Sequence, residues 1–262
     1  MNYPQFDPVA FHLGSWPVYW YGLMYLFGFV LSWVLLSFRV KHNFQPGFKH
    51  EQLTDLLFYG ALGVIIGGRV GYMVFYDWRL LFSDPLLLFQ TWKGGMSFHG
   101  GLIGVTLALW WYARKANLSL FKICDFIAPV VPVGLGLGRI GNFINGELWG
   151  RVTDVSWAMV FPAAGSLPRH PSQLYEFSLE GVVLFLILWI YSSKPRPSGA
   201  VSGLFLFCYG IFRSLVEFYR EPDSQIGLLW GIGTEGQLLS LPMILFGIIL
   251  LVQAYSRNKV KP

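Results

Sequence analysis

The sequence predicts an all-α polytopic membrane protein, with seven transmembrane helices, a small outer cap and interfacial arm segments. Three observations carry this prediction. Of the 262 residues, 54% are hydrophobic and 18% aromatic. Only 13% are charged, against roughly 25% in an average soluble domain. The apolar residues are also gathered into runs close to the roughly 20 residues that a helix needs to cross a bilayer core. Aromatics and branched aliphatics dominate while charge is scarce, which excludes disorder, coiled coil and collagen.

Taken in order, the apolar runs lie at about 18–38, 56–76, 97–113, 123–145, 177–191, 200–218 and 238–255. Lipid offers the backbone no hydrogen-bond partner, so each run is read as a helix. No Lys or Arg occurs among the first seventeen residues, where a cleavable signal peptide would carry positive charge, so the first run is expected to stay as a span. The fifth run is short and is expected to begin earlier, around Gln173. The stretch Trp78 to Trp92 is broken by Asp84-Pro85 and reads as an interfacial segment on the outer surface. The longest outer loop, about 146–176, is expected to cap the bundle, and 1–262 forms a single integral membrane domain.

A net charge of +5 and a pI near 9.2 would suggest nucleic acid on a soluble protein. Here the positive-inside rule accounts for the basic residues and sets the orientation. Segments after runs one, three, five and seven carry eleven: Arg39, Lys41, Lys49, Arg114, Lys115, Lys122, Lys194, Arg196, Arg257, Lys259 and Lys261. The opposite side carries five, namely Arg79, Lys93, Arg151, Arg169 and Arg220. The N-terminus is therefore expected outside and the C-terminus in the cytoplasm. Trp16, Tyr19, Trp20 and Tyr21 at one span end, and Trp110, Trp111 and Tyr112 at another, fit the interfacial preference of aromatics. Cys124 and Cys208 lie in apolar runs and read as packing residues.

Three arginines remain inside the runs: Arg69, Arg139 and Arg213. Each costs about 2.5–3.5 kcal/mol at mid-membrane on insertion scales, so each needs a reason. With the orientation above, all three fall in the outer half of their spans. His99 and Tyr21 begin inward-running spans at the same level, and Glu217 and Arg220 close span six there. Together with Asn142 and Asn145 they describe an electropositive, hydrogen-bonding site at headgroup depth, suited to phosphate because the guanidinium fork donates two parallel hydrogen bonds. The plainer alternative pairs each arginine with Glu147 or Glu217, or lets it snorkel, and Arg69 is the most structural of the three.

Six glycines in GLGLGRIGNFINGELWG, residues 134–150, allow close helix contact or local unwinding around Arg139. The GRxG at Gly68 to Gly71 repeats the one around Arg139 and suggests a remnant of duplication. His99 in GGMSFHGGLIG is a candidate general base. The sequence has no HExxH, paired-cysteine or Asp-rich motif, so no metal and no cofactor is expected. On these residues a lipid enzyme and an anion or lipid transporter stay open. A transporter should show polar access from both sides, and the inner halves of the spans are uncharged apart from Asp125.

The blocks WYGLMY (20–25), GGMSFHGGLIG (94–104), GRIGNFINGELWG (138–150), RHPSQLYE (169–176) and YGIFRSLVEFYREPD (209–223) resemble those of the bacterial prolipoprotein diacylglyceryl transferases, in family order over nearly the whole chain. The resemblance implies a multi-pass enzyme of the bacterial inner membrane. Such an enzyme transfers the diacylglyceryl group of phosphatidylglycerol to the lipobox cysteine thiol of a prolipoprotein signal peptide and releases glycerol 1-phosphate. Its partners are these two substrates and membrane lipids, with no nucleic acid. It further implies that Arg139 and Arg213 bind phosphate, that His99 is the candidate base, and that Tyr21, Asn142, Glu147, Gly150, Tyr209, Glu217 and Arg220 line the site. Between Trp157 and Arg169 the outer loop is short for this family.

Overall fold

A computed structural model describes residues 1–45, 47–78, 83–90, 94–222 and 233–259. It is mainly helical: α1 (Trp20–Lys41), α2 (His50–Phe75), α3 (Phe98–Lys115), α4 (Leu120–Ile127), α5 (Val131–Ile144), α6 (Ser172–Tyr191), α7 (Ala200–Val216) and α8 (Glu235–Lys259). Helices α1, α2, α6 and α8 are each long and apolar enough to cross a membrane. The pair α4 and α5, bent by 51°, adds a fifth if it is one broken span. Pro129 and Pro132 stand at that bend, where a missing N–H and a clashing ring interrupt the helical ladder. Helix α7 is apolar but has 17 residues. Helix α6 begins at Ser172, matching the expected early start near Gln173.

Two features depart from the expected pattern. Residues before α1 form an antiparallel hairpin, β1 (Val9–Leu13) with β2 (Trp16–Tyr19), whose turn uses Gly14 at φ +63°. The interfacial stretch from Trp78 to Trp92 lies partly outside the described residues, and Pro85–Phe89 within it is a short 3-10 helix.

The chain divides into two compact units, Met1–Pro46 with Cys124–Pro262, and Gly47–Ile123. In the first, α1 packs on α5, α5 on α6, and α7 on α8. Small residues set these distances. A Cβ built on Gly136 would lie 3.1 Å from Gly181 Cα, and one on Gly247 would lie 2.8 Å from the Gly203 carbonyl. Leu184 and Leu188 of α6 pack with Val201 and Ala128, flanked by Phe205, Tyr209 and Phe212.

Two charged residues of this unit have structural partners. Arg39, counted above among loop charges, is only 1% exposed. It donates to Ser192 Oγ at 2.8 Å, and its guanidinium lies 5.4 Å from the Trp189 ring. Asp125 is 2% exposed and accepts from the Gly199 and Ser202 amides at 2.6 and 2.8 Å and from Ser202 Oγ at 2.6 Å. A carboxylate therefore closes the N-terminus of α7, where free amides and the helix dipole favour negative charge. Asp125→Ala is expected to lower stability by about 2–3 kcal/mol, since it leaves these buried donors without an acceptor. A thermal melt of the purified variant in detergent, with Asp125→Asn as the milder comparison, checks this.

In the second unit α2 and α3 meet along glycines. A Cβ on Gly63 would lie 2.8 Å from the Gly104 carbonyl, one on Gly71 2.5 Å from Gly100 Cα, and one on Gly104 2.7 Å from Gly67 Cα. The glycines that flank His99 in sequence thus bring two backbones into contact. Arg69, 6% exposed, donates to backbone carbonyls of Leu87 (3.1 Å from Nε and 2.5 Å from Nη2), Gln90 (3.2 Å), Gly95 (3.0 Å) and Gly94.

Candidate functional site

The Arg139 and Arg213 guanidinium groups and that of Arg220 converge on one carboxylate. Glu176, in α6, is 1% exposed and has both oxygens engaged. Oε2 meets Arg139 Nε, while Oε1 lies 3.3 Å from Arg213 Nη1 and 3.6 Å from Arg220 Nη1. Arg213 Nη2 lies 2.8 Å from Glu217 Oε2, one turn further along the chain, and Arg139 Nη2 lies 3.8 Å from Glu180 Oε2. Gly236 of α8 backs this pair: a Cβ there would fall 2.7 Å from Glu217 Oε2. Tyr209 of α7 packs against the Leu184 and Leu188 core of α6 and stacks on Phe205, with ring centroids 5.8 Å apart.

Burial differs within the cluster. The arginine side chains are 20%, 15% and 10% exposed, whereas those of Glu176, Glu180 and Glu217 are 1%, 0% and 5% exposed. The carboxylates are thus the more deeply buried members of the cluster, and the arginine side chains keep part of their surface exposed. Residues Phe177–Val183 are wound as a π-helix, a widened turn that often marks a functional stretch of helix. This stretch carries Glu180 and also the Gly181 that lets α5, with Arg139, approach closely.

Next to it lies an amide and carboxylate group built by the end of α5. Gly146 at φ +64° stops the helix, with Gly146 N–H donating to the Phe143 carbonyl at 3.0 Å and Glu147 N–H to that of Asn142 at 3.1 Å. This reversal returns the Glu147 carboxylate to the helix end, where it accepts from Asn142 Nδ2 at 2.8 Å and Asn145 Nδ2 at 3.3 Å. The start of α6 holds the reversal in place: Gln173 Nε2 donates to the Glu147 carbonyl at 2.6 Å and Ser172 Oγ to that of Leu148 at 2.9 Å. Tyr21 covers Gly141, where a Cβ would meet its ring at 2.9 Å, and its hydroxyl lies 3.1 Å from that of Tyr25.

Gly150 joins the segment that follows α5 to the residues just after α7. It bridges Arg220, and its N–H donates to the His170 carbonyl at 2.8 Å. A Cβ there would strike the Tyr219 carbonyl at 2.5 Å, so no larger residue fits. Burial lowers the pKa of His170, whose Nδ1 lies 3.0 Å from the Tyr175 hydroxyl.

A family model described as prolipoprotein diacylglyceryl transferase matches residues 8–253. The chain belongs to this family. It is 62% identical to the phosphatidylglycerol–prolipoprotein diacylglyceryl transferase of Pseudoalteromonas atlantica, over 99% of this chain and 93% of that one. With the enzyme of that name from Vibrio cholerae the identity is 59%, over 98% and 95% of the two chains, and with that from Pseudomonas paraeruginosa 58%, over 100% and 98%.

Within this member of the prolipoprotein diacylglyceryl transferase family, Tyr21, Arg139, Asn142, Asn145, Glu147, Gly150, Tyr209, Arg213, Glu217 and Arg220 all belong to the larger unit. Their partners place Arg139, Arg213, Glu217 and Arg220 in the ion-pair cluster and Asn142, Asn145 and Glu147 in the group at the end of α5. His99 and Arg69 belong to the smaller unit. His99 is exposed on the first turn of α3, beside the Phe98 ring at 5.7 Å. Arg69 is engaged by backbone carbonyls and Arg139 by glutamates, so the shared GRxG pattern does not give the two arginines a shared role. Sequence reading missed Glu176, Glu180 and Tyr25. The carboxylates had a readable signal, since acids in an apolar run are as costly as the arginines that were counted.

Proposed function

We infer that this protein transfers the diacylglyceryl group of phosphatidylglycerol to the lipobox cysteine thiol of a prolipoprotein and releases glycerol 1-phosphate, the first step of bacterial lipoprotein maturation. The observation that carries this reading is the layer of three guanidinium groups held by a buried carboxylate, in a chain that matches enzymes of that name over nearly its full length. Such a layer suits a phosphodiester, whose oxygens accept paired N–H donors.

In the reaction the cysteine thiolate attacks the glyceryl C3 carbon and the C–O bond to phosphate breaks, leaving its electron pair on the phosphate oxygen. Arg139 and Arg213 stabilise that growing charge, and Arg220 supports them at the cap. Because the guanidinium groups are already held in place, little reorganisation accompanies charge build-up. Asn142, Asn145, Glu147, Tyr21, Tyr209 and Glu217 shape and polarise the headgroup site, with Gly150 admitting the cap strand. Arg69, the most structural of the three arginines inside the apolar runs, holds the segment whose carbonyls it binds. His99 takes the thiol proton. An ordinary thiol has a pKa near about 8.5, so a base raises the thiolate fraction at neutral pH. Seven spans are assigned by adding α3 and α7 to the long helices and the bent pair, with the N-terminus periplasmic, the C-terminus cytoplasmic, residues 146–176 as the periplasmic cap, and the chain one integral domain of the inner membrane.

Purified enzyme in detergent, given phosphatidylglycerol and a lipobox peptide, is expected to add one diacylglyceryl mass per peptide and release equal glycerol phosphate. A Cys→Ser peptide should give neither product. In His99→Ala turnover is expected to fall about 100-fold. Full activity of that variant across neutral pH would remove the base assignment and leave the phosphate clamp. No product from folded, lipid-binding wild type would instead favour a lipid or anion transporter.

A further inference from the structure

Three guanidinium groups in a water-poor site repel one another, and each long side chain has many rotamers, so an anion clamp built from them needs something to aim it. The structure assigns that task to Glu176, as a positioning residue that acts through Arg139, Arg213 and Arg220. This inference rests on the transferase reading.

Glu176 is placed for the role in three ways. It is the shared partner of arginines from α5, from α7 and from the segment just after α7, at Oε2 for the first and at Oε1, 3.3 and 3.6 Å away, for the other two. It is 1% exposed, against 10–20% for the arginine side chains, so it holds them from the buried part of the cluster. Its own helix is fixed nearby, since Ser172 and Gln173 hydrogen-bond the Glu147–Leu148 turn at 2.9 and 2.6 Å. The other two acids are placed differently: Glu217 pairs with Arg213 at 2.8 Å, and Glu180 approaches Arg139 at 3.8 Å.

The test separates aim from charge and from simple folding. Glu176→Gln keeps the shape and removes one negative charge next to the arginines. Loss of aim is expected to lower kcat about 100-fold. KM for phosphatidylglycerol should be unchanged or lower, because the cluster becomes more positive. A residue that matters only for folding would lower the yield of folded enzyme and leave kcat per folded molecule unchanged. Because Glu176 acts through the arginines, its substitution in an Arg139→Ala background is expected to lower kcat by less than about 10-fold.

Wild-type kcat in folded Glu176→Gln, or full additivity with Arg139→Ala, overturns the assignment. If Glu176→Gln does not fold, Glu176→Asp serves: it keeps the charge but withdraws it by one methylene, a lowered kcat is expected, and a wild-type kcat overturns the assignment. Wild type run in parallel keeps the two readings apart. An inactive wild type sinks the transferase reading, whereas an active wild type with an unaffected Glu176→Gln sinks only the positioning role.

Discussion

Arg139→Ala is expected to lower turnover by about 100- to 1,000-fold, the usual effect of removing one preorganised donor from a site where charge develops. Its Nε contacts Glu176 and its Nη2 faces Glu180, so the guanidinium approaches the substrate already oriented. Arg139→Lys should recover little, because an ammonium keeps the charge but loses the planar fork. Removing Arg139 also takes a cation from two buried carboxylates, and part of the observed loss could be folding. Single-turnover rates normalised to the folded fraction separate the two. Normal turnover by a variant that binds phosphatidylglycerol normally would end the clamp mechanism.

Gly104→Val is expected to be the most damaging change outside the charged site, at about 3 kcal/mol. The Cβ alone would collide with the carbonyl of Gly63 and lie 2.7 Å from Gly67 Cα, and both obstacles are backbone atoms that no rotamer change can clear. Helices α2 and α3 would have to part, and in lipid their association rests on the packing that separation removes. Helix α3 carries His99 on its first turn, so activity should fall along with stability. Gly60→Ala on α2 is the control. Nothing lies within 4 Å of its added Cβ, and exchanging helical glycine for alanine should be neutral or stabilising. A thermal melt of both variants in the same detergent decides. Equal melting temperatures would mean that this glycine contact does not hold the two helices together.

Several features of this protein follow from local or compositional physics alone. Apolar runs of span length dictate helices because lipid leaves the backbone no other partner, and α6 begins close to the expected Gln173. Arginines in such runs are expensive wherever the chain folds, so Arg139 and Arg213 could be marked as needing partners before any partner was known. The motif blocks were enough to indicate the family.

What those arginines do was settled by partners far away in sequence. Arg69 and Arg139 sit in the same local pattern, yet one binds the carbonyls of a nearby loop and the other a glutamate from a different helix. Arg39 looked like a loop charge and is buried against Ser192 and Trp189. The glycines beside His99 carried no partner that the sequence could name, and they press α3 onto α2. In each case the sequence fixes the energetic cost of a residue, because that depends on its chemistry and on the apolar run around it. The tertiary structure fixes what offsets the cost, because ion pairs and backbone contacts form only where helices distant in the chain come within a few ångströms of one another.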